Sequence, residues 1–209
     1  MAYPTVDAPY GLVPINLIGG QPYAGSTRQM KIASGYATDI FNGDVVKRAA
    51  DGTIQKETGT ATVTATGVIG VFVGVSYTDP NTEQKVFKQY YPASTVASDI
   101  MAYVVDDPDA LFKVAVVSSG TTIAGTAYGS IGSNAALVQN AGSTKNGNSK
   151  VAIGSVATTL SLPIRIVDVV HETEDASGNY PEVIVKWNTP HEDSNVATGG
   201  HAYMTATGL

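Results

Sequence analysis

IRIVDVV at 164–170 and EVIVKWN at 182–188 flank the acidic, turn-rich stretch HETEDASGNYP at 171–181, and this pairing decides the fold class. Both runs alternate in steps of two and are rich in β-branched residues, which suits a pleated strand with one buried face. They predict a β-hairpin with a long acidic loop. Val183, Val185 and Trp187, the only tryptophan, share one face and should point to the core.

The same texture continues toward the amino terminus. LFKVAVV at 111–117, IMAYVV at 100–105 and VFKQYY at 86–91 each read as a short strand. VIGVFVGVSY at 68–77 sets Ile69, Val71, Val73, Val75 and Tyr77 on one face and Gly70, Phe72, Gly74 and Ser76 on the other. Alternate glycines on one face suggest close approach of another backbone or a sharp coil. TATVTAT at 60–66 alternates small β-compatible residues, and IFNGDVVKRAADGTIQ predicts a strand around Val45 and Val46, a turn at Asp51-Gly52 and a return through Ile54. Ten or so short strands at this spacing predict an all-β domain over 28–188, a small β-barrel or sandwich.

Composition narrows the function classes. The chain has 209 residues, enough to bury a core without disulfides, and it has no cysteine. Disulfide frameworks, thiolate metal sites and cysteine nucleophiles are thereby excluded together. The formal net charge is -6, with basic residues scattered from Arg28 to Lys186. That argues against nucleic acid as a partner, because such binding draws on a clustered basic patch. The longest dominantly apolar run, GVIGVFVGV, is about half the ~20 residues of a membrane helix. No basic start leads into an apolar stretch, so no secretory signal is predicted. Charged residues are only 14%, against roughly 25% on average. Either much of the surface is neutral polar, or much of it faces another protein.

The first 27 residues read as an extended arm, because Pro4, Pro9 and Pro14 each remove a backbone donor and disfavour helix in the preceding residue. Tyr3, Tyr10, Leu12, Val13, Pro14, Ile15, Leu17 and Ile18 give it too much apolar surface for a solvated leader. These eight are the candidate partner-binding residues. Two arrangements satisfy them, an edge strand packed on its own domain or an arm lying across a neighbouring subunit. Residues 118–150 form a Gly/Ser/Thr/Asn-rich insertion that admits one short helix near 121–127 and suits packed loops. The tail from 189 to 209 has no sustained period and reads as frayed or docked on a partner.

Recognisable catalytic chemistry does not emerge. His191-Glu192 opens like a zinc-protease motif, but Asn195 stands where the second imidazole is required. His171, Glu172, Glu174 and Asp175 read as a solvated acidic loop. Asp106, Asp107 and Asp109 around Pro108 read as a turn rather than a Ca²⁺ site. Asp79, Asn81 and Glu83 copy the first ligands of a calcium loop, but Gln84 occupies its glycine position. Gly142 and Gly147 have phosphate-loop spacing, but Asn148 replaces the lysine. No catalytic residue, metal or cofactor is assigned, and no enzyme is predicted.

Taken in order, the proline-spaced arm, YAGSTRQ at 23–29, GYATDIFNGDVV, VFVGVSYTD, VVDDPDALFKV and the closing hairpin resemble capsid decoration (cement) proteins, or related minor head proteins, of tailed bacteriophages. The resemblance covers 1–118 and 150–198. It implies a structural virion protein on the outer capsid surface, made in the bacterial host cytoplasm. Its partners would be the major capsid protein at capsomer junctions and sister copies, a trimer being favoured, with no nucleic acid and no membrane. The alternative is a tail or head-fibre component with a carbohydrate- or receptor-binding role, which exposed aromatic faces in a loop cluster would favour and a buried Trp187 would disfavour.

Overall fold

In the computed structural model, which describes residues 8–61, 68–188 and 201–204, the predicted hairpin is the centre of a sheet. Sixteen strands are described. The first eight are β1 (Val13–Leu17), β2 (Arg28–Lys31), β3 (Val45–Arg48), β4 (Ile54–Lys56), β5 (Gly70–Thr78), β6 (Lys85–Lys88), β7 (Met101–Val105) and β8 (Ala110–Ala115). The rest are β9 (Val117–Ser119), β10 (Thr122–Ile123), β11 (Thr126–Ala127), β12 (Asn134–Val138), β13 (Ala152–Ala157), β14 (Ile164–Val169), β15 (Asn179–Tyr180) and β16 (Glu182–Trp187).

Two six-stranded antiparallel sheets dominate. The first runs β1-β8-β16-β14-β12-β13; the second runs β2-β7-β5-β3-β4, with β6 also paired to β5. The all-β expectation holds, and of its two forms the sandwich describes the molecule. The last strand of the first sheet touches the chain just beyond β8 through one parallel bridge, Val116 to Ile153, with no ladder, so no closed barrel forms.

In the hairpin, Ile164 lies opposite Trp187 and Ile166 opposite Val185. These four and Val183 are buried, and Phe112 of the neighbouring β8 packs its ring 5.5 Å from Trp187. Each such side chain contributes about 1.5–3 kcal/mol relative to exposure. The second sheet buries its own cluster, including Ile32, Ile40, Ile54, Phe72 and Tyr91. Val45, Val71 and Val105 belong to the strands of the second sheet but pack with the first sheet's cluster, which joins the two halves.

Two local expectations change. The register of β5 against β7 shifts between Phe72 and Gly74, and a bulge reverses which face later residues occupy. Phe72, Val75 and Tyr77 therefore share one core while Val71 enters the other, and the single face expected from Ile69 to Tyr77 is not formed. The close approach read from the glycines is present at Gly70, where a Cβ would lie 2.0 Å from the Val105 carbonyl oxygen. The helix admitted near 121–127 gives way to strand pairs, β10 with β9 and β11 with β15. Gly125 explains the second pairing, since a Cβ there would meet the Asn179 side chain at 2.5 Å. TATVTAT falls almost wholly outside the described residues.

Candidate functional site

The amino-terminal segment is tied to its own domain before β1 begins. Gly11 donates its N–H to Val151 O at 3.1 Å, and Leu12 donates to Gly43 O at 3.0 Å. A Cβ on Gly11 would lie 2.8 Å from the Gly43 Cα, so two backbones touch at a point where only glycine fits. Leu12 then enters the first sheet's core, and β1 pairs antiparallel with β8, Val13 opposite Lys113 and Leu17 opposite Ala110. Of the two arrangements open from sequence, residues 13–17 adopt the edge strand. The domain thus begins well before residue 28.

The eight candidate residues part company accordingly. Tyr3 lies outside the described residues. Leu12 is fully buried, which removes it from any partner surface. Pro14, Ile15 and Leu17 are half-buried, Leu17 against the first core. Val13 and Ile18 remain exposed, at 39% and 48%. Tyr10, Val13 and Pro14 meet Asn42, Val73 and Asn148 around a shallow cleft of about 310 Å³.

The electrostatics of this edge centre on Glu182. The Tyr10 hydroxyl donates to Glu182 Oε1 at 2.5 Å, and Lys113 Nζ lies 3.5 Å from the same oxygen. The ammonium also sits 5.5 Å from the Tyr10 ring centroid, within reach of its π face. Burial, then the bond to Glu182, push the Tyr10 hydroxyl far above its ordinary range, so it stays a proton donor. This arrangement anchors the strand; it activates no nucleophile.

A second polar cluster escaped sequence reasoning. Asp44, fully buried, accepts the Ser149 hydroxyl at 2.6 Å and the Phe41 N–H at 2.9 Å, and pairs with Lys56 Nζ at 2.8 Å. Ser149 Oγ accepts the Val151 N–H at 3.0 Å. The side-chain partners, Lys56 and Ser149, are 12 and 105 residues away from Asp44, and nothing local marks them. With Ser149 buried, the cluster ties the end of the glycine-rich stretch to β3 and β4.

The acidic near misses engage ion pairs and hydrogen bonds, some in their own turns and some across the fold. Asp106 takes Arg28 at 2.6 Å and the Tyr203 hydroxyl at 3.0 Å, Asp107 accepts the Asp109 N–H, and Asp109 meets Lys186. Asp79 accepts the Asn81 N–H in its turn. Of the histidines, His191 lies outside the described residues. His171 joins a loop cluster, its ring tilted against Tyr128 at 5.9 Å and edge-on to Tyr180 at 5.8 Å. His201 is buried between Trp187 and Tyr203, and residues 201–204 dock through its bridge to Val68.

The fold and edge define an all-β protein of two antiparallel sheets with shallow surface clefts. Compared with protein-family models, with curated proteins and with solved structures, the chain matches none of them.

Proposed function

We propose that this chain is a structural virion protein that binds the outer surface of a tailed-phage capsid at capsomer junctions and stabilises the expanded shell. The observation that carries the reading is its surface. In a chain with only 14% charged residues, Val13, Ile18, Phe87, Val96, Tyr128, Leu160 and Tyr203 are large apolar or aromatic side chains left exposed. Phe87, at 71%, stands on the edge strand β6. Interface cores are poor in charge and rich in aromatics. A protein that binds the assembled shell and not its separated subunits adds its binding free energy to the cost of pulling them apart. An interface of about 1,600 Å² repeated over a shell needs only modest affinity per site. The sister-copy contacts, with a trimer favoured, belong to the same proposal.

Mixing the purified chain with undecorated expanded particles tests it. Stoichiometric density at symmetry-related capsomer junctions is the expected image. Failure to bind any mature shell of its own virus overturns the reading.

One observation favours the second reading, a head-fibre or tail component that binds carbohydrate. Tyr128 is 56% exposed and shares a loop cluster with His171 and Tyr180. Trp187, the stronger stacking residue, is buried and weighs against it. A glycan array probed with the chain and with Tyr128→Ala separates the two: glycan binding lost in the variant would replace the shell reading.

A further inference from the structure

We infer that the outer face of the first sheet holds a binding groove for a carboxylate carried on an apolar stem, that is, an acidic peptide segment with aliphatic neighbours. The groove has a volume of about 370 Å³ and is lined by Ile18, Ile131, Gly132, Arg165, Lys186 and the backbone side of β14 and β16.

The first observation is a register pair. Arg165 on β14 lies directly opposite Lys186 on β16. Ile164, Ile166, Val183, Val185 and Trp187 all face the core, so alternation sends both cations to the outer face. Side chains directly opposite across an antiparallel pair have Cβ atoms about 4.5–5.5 Å apart, and like charges there destabilise the sheet. A chain with net charge -6 has acidic residues to spare, yet it places two of its few cations side by side and gives a carboxylate only to Lys186. An anion seated between them turns that repulsion into attraction.

The second observation is what these cations touch. Lys186 Nζ lies 3.2 Å from Asp109 Oδ1, and Asp109 is itself largely exposed, so one end of the groove already accepts a carboxylate. Arg165 is exposed, and its Nε donates to the neutral Asn134 Oδ1 at 3.1 Å. Among the described residues no carboxylate pairs with it. The terminal nitrogens of its guanidinium present the planar fork that matches a carboxylate in bidentate fashion.

The third is the walls. Ile18 is 48% exposed at one side, and Ile131, partly buried against the core, stands at the other. Ile18 is held there because its N–H donates to Asp109 O at 3.0 Å, and Gly132 is fixed by its N–H to Ile166 O at 2.9 Å. Two aliphatic walls around a cationic floor fit an aliphatic segment bearing an acid. They do not fit a polyphosphate chain, which has no apolar groups to place against them.

The test is calorimetric titration of the full chain with the synthetic peptide acetyl-Ile-Glu-Val-Asp-Leu-amide and its neutral counterpart acetyl-Ile-Gln-Val-Asn-Leu-amide, at low and at high salt. The acidic peptide should bind, weaken with salt, and bind about tenfold more tightly than the neutral one, as charge-assisted bonds require. R165Q and K186Q should each cost about tenfold in affinity for the acidic peptide. I18N should weaken both peptides, because it removes a wall and leaves both cations. R165Q relieves the like-charge pair but also removes the bond to the buried Asn134, so its thermal midpoint is recorded alongside the titration to establish that it folds. If R165Q does not fold, R165K keeps the charge without the fork and should still lose affinity. Equal binding of the two peptides, or unchanged binding by both R165Q and K186Q, overturns the inference. So does displacement of the peptide by inorganic phosphate or a thymidine oligonucleotide at comparable concentration, which would make this a general anion or nucleic-acid site. The groove stands on its own geometry, and its failure in this titration is separate from any failure to bind a capsid.

Discussion

The hairpin of β14 and β16 and the glycine-rich stretch 118–150 contribute strands to the same sheet, yet they are held by different forces. The hairpin is held by burial: Ile164, Ile166, Val183, Val185 and Trp187 fill one face. The stretch puts only Ala135 and Leu137 fully into that core and adds polar side chains that reach distant backbone. Asn134 Nδ2 donates to Thr159 O, Gln139 Nε2 to Gly59 O, and Asn140 Nδ2 to both Gly120 O and Lys150 O. Its other side chains are mostly small or polar, so amide side chains add to the order that these two residues and the β12 pairings provide. Burial is distributed over many contacts, whereas stitching concentrates it in a few bonds.

If that contrast is right, the largest loss comes from the hairpin. Trp187→Ala removes the biggest fully buried side chain and its contact with Phe112. It should lower unfolding free energy by about 3–5 kcal/mol, measured by urea titration. Trp187→Phe should recover much of this, because volume and not a polar bond is at stake. A loss below about 1 kcal/mol for the alanine variant would mean that the hairpin is not the centre of the core.

Next comes the ionic knot that ties the stretch down. Asp44→Ala leaves Lys56 without its buried counter-ion and the Ser149 hydroxyl and Phe41 N–H without an acceptor. The expected cost is about 3 kcal/mol. Removing Asp44 and Lys56 together should cost less than the sum of the single changes, because the pair is coupled. Strict additivity would show that the two charges act separately.

A smaller effect is expected at a single stitch. Asn140→Ala frees two carbonyls at 2.8 and 2.9 Å. It should cost about 1 kcal/mol, with most of the change in local rather than global hydrogen exchange. An equal loss of protection in β14 and β16 would erase the distinction between the two regions.

How far each region was legible follows from the same contrast. Burial writes a period into the chain, so IRIVDVV and EVIVKWN announced their strands, and EVIVKWN announced its inward face at Val183, Val185 and Trp187. Stitching writes none: Asn140 and Ser149 look like any polar loop residue, and their partners are set by the tertiary path. The bulge after Phe72 was hidden for a related reason, since alternation describes one strand and a bulge is a property of a pair. The amino-terminal segment was half legible. Its prolines declared extended backbone, but only the approach of Gly11 to Gly43 and the burial of Leu12 decide that it joins its own sheet. Of the candidate partner-binding residues, Val13 and Ile18 keep the exposure such a role needs, and Arg165 and Lys186 could be paired only once the register was known.

The smallest effect tests a third mode of attachment, at the far end of the chain. Residues 201–204 meet the body through His201, which bridges to Val68 and packs 6.2 Å from Trp187, while Ala202 donates its N–H to Val68 O at 2.8 Å. Burial holds the His201 pKa below its ordinary 6.5; the Ile69 backbone and the carboxylates of Asp106 and Asp107 oppose that shift without reversing it. Arg28 and Tyr203 both engage Asp106, which limits how far its charge can stabilise a cationic ring. The docked form therefore prefers the neutral imidazole. As pH falls below about 6.5, the undocked histidine takes up a proton that the docked one resists, and docking weakens until the docked pKa is passed. Protection of the Ala202 amide, corrected for intrinsic exchange, should fall between neutral and mildly acidic pH while that of β16 does not. His201→Phe keeps an aromatic ring in the site and cannot titrate, so its profile should be flat over that range. If wild type and variant respond alike, protonation of His201 does not govern the docking, and the attachment rests on the Ala202 backbone bond and the Tyr203 hydroxyl on Asp106, as in the stitched region.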